Sequence, residues 1–301
     1  MSFLLRQSVV AALTANAVRP GRGRRSGLGS FLAGFLFNET APQVLALTAI
    51  DAATHLTGGR RRGVAAKTGL ALAGASALGL ARMVRQSRQS ADGFEEALVE
   101  GLGVDYVEQL DAVPDPADLA TTWRRLARPF DFHDDAVRVI SDVPYSEAGR
   151  RGRLDIYLPA GDDAIHDAPV LLQVHGGAWT VGAKEHQGRP LMNHMAARGW
   201  VCVAINYRLS PRDAWPAHIV DVKRAIAWVK DHIADYGGDP DYLAITGGSA
   251  GGHLTALTAL TPNAPEWQPG FEDADTSVQL AIPHYGVYDM AGSTGTKPAM
   301  S

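Results

Sequence analysis

The sequence predicts an α/β architecture: a three-layer αβα sandwich on a mostly parallel sheet, with a helical region ahead of it. Three observations carry this reading. From about residue 136 onward, short apolar runs alternate with segments of helical period. Glycine-rich turns follow two of those runs directly, and residues 1–90 are rich in Ala, Gly, Leu and Arg. The chain has 301 residues, enough for one large domain or two small ones. Its 46% hydrophobic and 20% charged content excludes collagen-like, wholly disordered and disulfide-scaffold classes. Cys202 is the single cysteine, so no intrachain disulfide can form.

Residues 1–90 read as a basic, apolar helical region. Twelve Arg and Lys stand there against Glu39 and Asp51, a net of +10 that leaves −14 for residues 91–301 out of the overall −4. Residues 40–59 carry only Asp51, and residues 68–81 carry no charge, so each is a spanning helix of marginal length. Basic clusters at Arg19–Arg25, Arg60–Arg62 and Arg82–Arg88 lie on every flank, which breaks the charge asymmetry of a hairpin. That pattern suits helices lying in an anionic membrane surface, with a Leu/Ala helical pair packed on the protein as the alternative. The expected localisation is therefore membrane-associated or cytoplasmic. Ala15-Asn16-Ala17 has the small-x-small form of a signal cleavage site, but the basic stretch after it argues against a leader. No nucleic-acid partner is expected, because the arginines lack interleaved aromatic stacking residues.

Residues 91–135 turn acidic and read as a connector or cap, with a helical candidate at Phe94–Leu110 and a Pro-containing stretch, Val113-Pro114-Asp115-Pro116. Residues 136–301 form the main domain. Val137–Ile140 and Leu154–Leu158 read as strands, the second closing at Pro159. The continuous apolar runs Val170–Val174 and Trp200–Ile205 read as strands buried on both faces. Ile219, Val222, Ile226, Val229 and Ile233 recur at helical intervals between Pro216 and Gly237-Gly238. Tyr242–Thr246 is a further strand, Ala250–Leu260 a small-residue helix and Val278–Ile282 a last strand. In such a sheet, ligand chemistry sits at the carboxyl ends of the strands.

Two motifs stand at those ends. Gly247-Gly248-Ser249-Ala250-Gly251 lies between a strand and a helix, the context in which a sharp turn forces a serine hydroxyl outward as a nucleophile. A glycine turn of no chemical use, or a phosphate cradle, is the alternative for that pentapeptide alone. His175-Gly176-Gly177-Ala178-Trp179 follows a buried strand, and its glycines would let backbone N–H groups approach a developing oxyanion. Gly176, Gly177 and Ala250 are the expected donors. His175 is read as holding the loop and not as a base. Trp179 lines an acyl pocket or shields the loop, while Tyr207-Arg208 and Asp221 read as supports.

With Tyr207-Arg208-Leu209-Ser210-Pro211 and Gly252-His253 added, the chain resembles the α/β-hydrolase superfamily, in particular the hormone-sensitive-lipase-like bacterial carboxylesterases and lipases, over residues 136–290. The resemblance implies a sandwich of the α/β-hydrolase type. It also implies hydrolysis of a small-molecule ester or lipid through an acyl-enzyme on Ser249, without cofactor or metal. It places an acid and then a histidine downstream of the nucleophile, whereas only 52 residues follow Ser249 and the last histidine is His284. The chain is accordingly expected to be truncated, with the sheet incomplete at its C-terminal edge. Asp289 and His284 are the local candidates for acid and base, and a turn cap is the alternative reading of Asp289. His253 is expected to pack locally. Two other functions stay open: an amide or peptide hydrolase using the same serine, and a binding module that keeps the fold without the chemistry.

Overall fold

The computed structural model describes residues 1–21, 27–58, 63–110, 121–161 and 165–294. The chain divides into two compact units, Met1–Asp131 and Phe132–Ser301.

The first unit is helical: α1 (Phe3–Val18), α2 (Gly27–Glu39), α3 (Ala41–Thr57), α4 (Val64–Leu102) and the short α5 (Trp123–Ala127). The Ser2 hydroxyl caps α1 by accepting from Leu5 N–H, and Thr122 caps α5 in the same way through Arg125 N–H. Helix α4 runs unbroken through the change from basic to acidic composition near residue 90, so most of Phe94–Leu110 extends it and is no separate helix. Composition reports charge, but a helix ends only where its backbone is interrupted; here that is Gly103, at φ 94°.

The second unit holds a mixed sheet of strands β1 (Val137–Pro144), β2 (Arg153–Pro159), β3 (Ala168–Val174), β4 (Val201–Ile205), β5 (Gly238–Gly248) and β6 (Leu280–His284). Their order is β1-β2-β4-β3-β5-β6. The β1/β2 and β2/β4 pairings are antiparallel, and the other three are parallel.

Period-two alternation sorts side chains to two faces. Leu154, Ile156 and Leu158 of β2, Val170, Leu172 and Val174 of β3 and Val203 and Ile205 of β4 share one core with Ile219, Val222, Ile226 and Val229 of helix α7 (Ala217–His232). Leu254 of helix α8 (Ala250–Leu260) joins the same core. On the opposite face Tyr157, Leu171, Cys202 and Ala244 pack with Met192 and Ala196 of helix α6 (Arg189–Ala196). Helices thus cover both sides, giving the three layers. Each fully buried Val, Leu or Ile contributes about 1.5–3 kcal/mol. Cys202 is a buried member of this packing, and burial pushes its thiol up to about 12.

Because β3 and β5 are parallel neighbours with Val174 opposite Gly247, their carboxyl ends lie side by side. The two glycine motifs, 73 residues apart at His175 and Gly248, therefore emerge at one place.

Candidate active site

Ser249 occupies the sharp turn between β5 and α8, with φ 57° and ψ −119°. A non-glycine residue with positive φ is strained, and the turn holds only because its flanks are fixed. Ser249 N–H donates to His284 O at 3.0 Å, and Ser249 O accepts from His253 N–H at 3.0 Å as the first carbonyl of the helix. The flanking glycines are required by crowding: a Cβ on Gly251 would lie 2.1 Å from Val174 O, and one on Gly247 would lie 2.6 Å from the same oxygen.

The loop after β3 faces the serine. A Cβ on Gly176 would stand 3.3 Å from Ser249 Cβ, so the two motifs meet in van der Waals contact. Gly177 adopts φ 127°, and its carbonyl accepts from both Thr180 and Val181 N–H at 3.0 Å, closing a tight turn. Ala178 and Trp179 follow at φ 50° and 59°.

The expected donor set needs one correction. Gly176 N–H donates to Gln187 Oε1 at 2.7 Å, so that amide holds the loop and does not face a vacant acceptor position. Among the described residues no hydrogen bond uses the N–H of Gly177, Ala178 or Ala250. Ala250 lies in the first turn of α8, where helical N–H groups have no intrahelical partner and the helix dipole is positive. Gln187 escaped sequence reading because it sits in an irregular polar stretch with no periodic or motif signal.

His175 behaves as a loop anchor. Its ring is buried, stacks on Tyr207 at 4.3 Å, and its Nδ1 lies 2.8 Å from Gly176 O. Burial lowers its pKa to about 4, so the ring is neutral at pH 7. Tyr207 Oη donates to His175 O at 2.9 Å. Beside it, Arg208 makes a bidentate pair with buried Asp221, while its own N–H donates to Asp221 Oδ2 at 2.8 Å. These residues brace the site as the sequence suggests.

The two local acid and base candidates are not brought together as a relay. The Asp289 carboxylate accepts from the N–H and hydroxyl groups of Ser293 and Thr294, which holds it well below the usual carboxylate range and makes it the cap of a 289–294 turn. His284 contributes its backbone carbonyl to Ser249, and its ring makes no hydrogen bond to Ser249 among the described residues. His253 sits edge-on to Trp179 at 5.3 Å, with burial lowering its pKa. Gly248, where the resembled family commonly carries an acidic residue, faces Tyr285: a Cβ there would fall 2.5 Å from the phenol oxygen.

Sheet order, a strained serine elbow and a facing glycine loop define an α/β-hydrolase. The unit that carries Ser249 belongs to the hormone-sensitive-lipase-like α/β-hydrolases, and residues 154–300 match the BD-FAE family. Three relatives of Mycobacterium tuberculosis are similar to the chain. "Probable carboxylic ester hydrolase LipM" is 46% identical over 298 residues, covering 94% of this chain and 65% of that protein. "Esterase LipQ" is 60% identical over 153 residues, covering 51% of this chain and 36% of that protein. "Esterase LipC" is 49% identical over 123 residues, covering 40% and 30%. The chain thus spans less than two thirds of the length of each of them.

Proposed function

We propose that this protein cleaves carboxylic esters through an acyl-enzyme on Ser249. The observation that supports the proposal is the contact between the Gly176 turn and the Ser249 elbow, together with the N–H groups of Gly177, Ala178 and Ala250, which make no hydrogen bond among the described residues. In this reading Ser249 Oγ attacks the ester carbonyl, and the oxyanion that forms is met by the N–H groups of Gly177, Ala178 and Ala250. The positive end of α8 adds to that field. The serine proton passes to the departing alkoxide, which leaves as the alcohol, and water then releases the acid and returns a proton to Ser249 Oγ. The esterase names of the similar proteins support the same substrate class.

The test is labelling with a fluorophosphonate followed by peptide mapping. An adduct on Ser249 that disappears in Ser249→Ala is expected. Absence of any adduct on the wild-type serine overturns the proposal.

For residues 1–90 the reading is association with an anionic membrane surface, supported by their net charge of +10 and by the 39-residue helix α4, whose first half is apolar. Flotation with phosphatidylglycerol-containing liposomes tests it, and recovery independent of the vesicles overturns it.

A further inference from the structure

The first unit leaves much of its apolar surface outside. Beside one apolar cluster of Ala41, Leu80 and Met83, many of its interior contacts are made by small and polar residues. Gly69 lies against the Phe3 ring and Gly79 against Thr14, each so closely that a Cβ would fall 2.7 Å away. Gln7, Thr14, Thr48 and Ser76 are buried beside Ala73 and Leu80. Thr48 and Ser76 return their hydroxyls to the carbonyls of Val44 and Leu72, and Gln7 Nε2 donates to Asp51 Oδ2 at 2.7 Å. The exterior is apolar. Leu78 is 76% exposed, Leu47 65% and Phe31 59%, with Phe35, Leu36 and Ile50 similar. A water-soluble helical bundle puts these two sets the other way round. Small residues at helix contacts and large apolar residues outside are the arrangement that pays in lipid, where burial against water drives nothing and close backbone approach does.

The charges fall where such a bundle would need them. Phe3 beside Gly69 and Thr14 beside Gly79 make α1 and α4 parallel. Arg6 bonding Asp51, together with Ala41 clustered on Leu80 and Met83, makes α3 antiparallel to both. One end of the bundle therefore carries Arg19, Arg82 and Arg85, all exposed, and the other carries Arg6 and Lys67. Between Lys67 and Arg82, helix α4 has 14 uncharged residues, about 21 Å of helix. The long side chains at each end can reach outward toward the borders of a hydrocarbon layer about 30 Å thick. The one acidic group along this length, Asp51, is ion-paired with Arg6 and accepts a hydrogen bond from Gln7.

We propose that α1, α3 and α4 insert as a bundle into the hydrocarbon layer of an anionic lipid bilayer, their Leu and Ile exterior against acyl chains and the basic residues at both ends among headgroups. This rests on the membrane association proposed above and deepens it from contact to insertion; it is independent of the ester chemistry.

The experiment uses the full chain in a Cys202→Ala background, with an environment-sensitive fluorophore on Leu78→Cys, Leu47→Cys or Arg88→Cys. All three positions are exposed, so the labels leave the interior packing intact. The vesicles are phosphatidylcholine with phosphatidylglycerol. Labels at 78 and 47 are expected to shift to the blue and to be quenched by spin labels at mid-acyl depth. The label at 88 is expected to be quenched only from the headgroup, and the protein to stay with the vesicles through alkaline carbonate. Release by carbonate or salt, with headgroup quenching at all three positions, overturns insertion while leaving surface association standing. Failure to float overturns both. Blue-shifted labels without vesicles, in a chain that migrates as a dimer, would show that a second copy covers this face and would also overturn the proposal.

Discussion

Lys223 offers a sharp test of the packing behind the active site. The side chain is fully buried, and Nζ donates to Thr261 O and to Thr276 Oγ1 at 3.1 Å. Thr276 Oγ1 in turn donates to buried Gln268 Oε1 at 2.7 Å. Burial pulls the amine down from 10.5 to about 8, with the Glu266 charge offsetting only part of it. The folded chain therefore gives up this proton near pH 8 and the unfolded chain near 10.5. Between those values the unfolded state binds more protons, so stability rises with pH across the window and is lowest below it. At about 1.4 kcal/mol per unit, the change from pH 7 to pH 10 is about 2–3 kcal/mol. Lys223→Met removes that dependence and, at every pH, removes two hydrogen bonds, costing about 1–3 kcal/mol. The variant is thus expected to lie close to wild type at pH 7 and well below it at pH 10. Urea unfolding followed by tryptophan emission reads this unit, since five of the six tryptophans, Trp179, Trp200, Trp215, Trp228 and Trp267, lie in it. Groups common to both proteins cancel in the difference. A gap that stays constant from pH 7 to pH 10 would refute the account of an amine whose proton is loosened by burial.

Other outcomes follow from single contacts. Arg208→Ala leaves Asp221 buried with one backbone N–H as its remaining bond, so it should destabilise the unit by about 3–5 kcal/mol in thermal unfolding, where Arg208→Lys loses less. Ser249→Gly should be about 1 kcal/mol more stable than Ser249→Ala, because only glycine occupies φ 57° without strain; equal melting temperatures would deny that the elbow is strained. Gly251→Ala should cost about 3 kcal/mol, its Cβ landing on Val174 O, whereas Gly93→Ala in α4 meets nothing within 4 Å and should gain about 0.5–1 kcal/mol. Turnover of p-nitrophenyl butyrate should be slow, about 10³–10⁴-fold over water from oxyanion binding alone, and little changed in Ser249→Ala; fast turnover that Ser249→Ala abolishes would show that a base already serves the serine.

Most of the second unit could be read from residue order because its determinants are local. The run Val170–Val174 makes a strand buried on both faces whatever surrounds it, and the helical spacing of Ile219, Val222, Ile226 and Val229 fixes one face of α7. The serine elbow was equally legible, since Gly247 and Gly251 are demanded by backbone atoms within a few residues of Ser249 or in the strand beside it. What escaped reading depends on pairings made across the chain. Whether Gly176 N–H points into the site or away from it is decided by Gln187, eleven residues on in a stretch without pattern. The sheet is mostly parallel, as expected, but which pairings run antiparallel was not legible, because β1 and β2 carry the same alternation as the others and period two says nothing about which way a neighbour runs.

The same distinction explains Asp289 and Gly248. An aspartate at a strand end has the chemistry of either a catalytic acid or a turn cap, and only the positions of Ser293 and Thr294, both turned back onto it, select the cap. At Gly248 the residue type looks like a departure from its relatives' pattern until Tyr285 is placed: the phenol fills the volume that any side chain at 248 would need. The departure at 248 and the tyrosine at 285 are thus one structural fact. A substitution at 248 toward an acidic residue should require a smaller residue at 285. Gly248→Asp alone should destabilise the unit, and Gly248→Asp with Tyr285→Ala should recover much of that loss. Additive losses in the double variant would show that the ring moves aside at no cost and that the two positions are uncoupled.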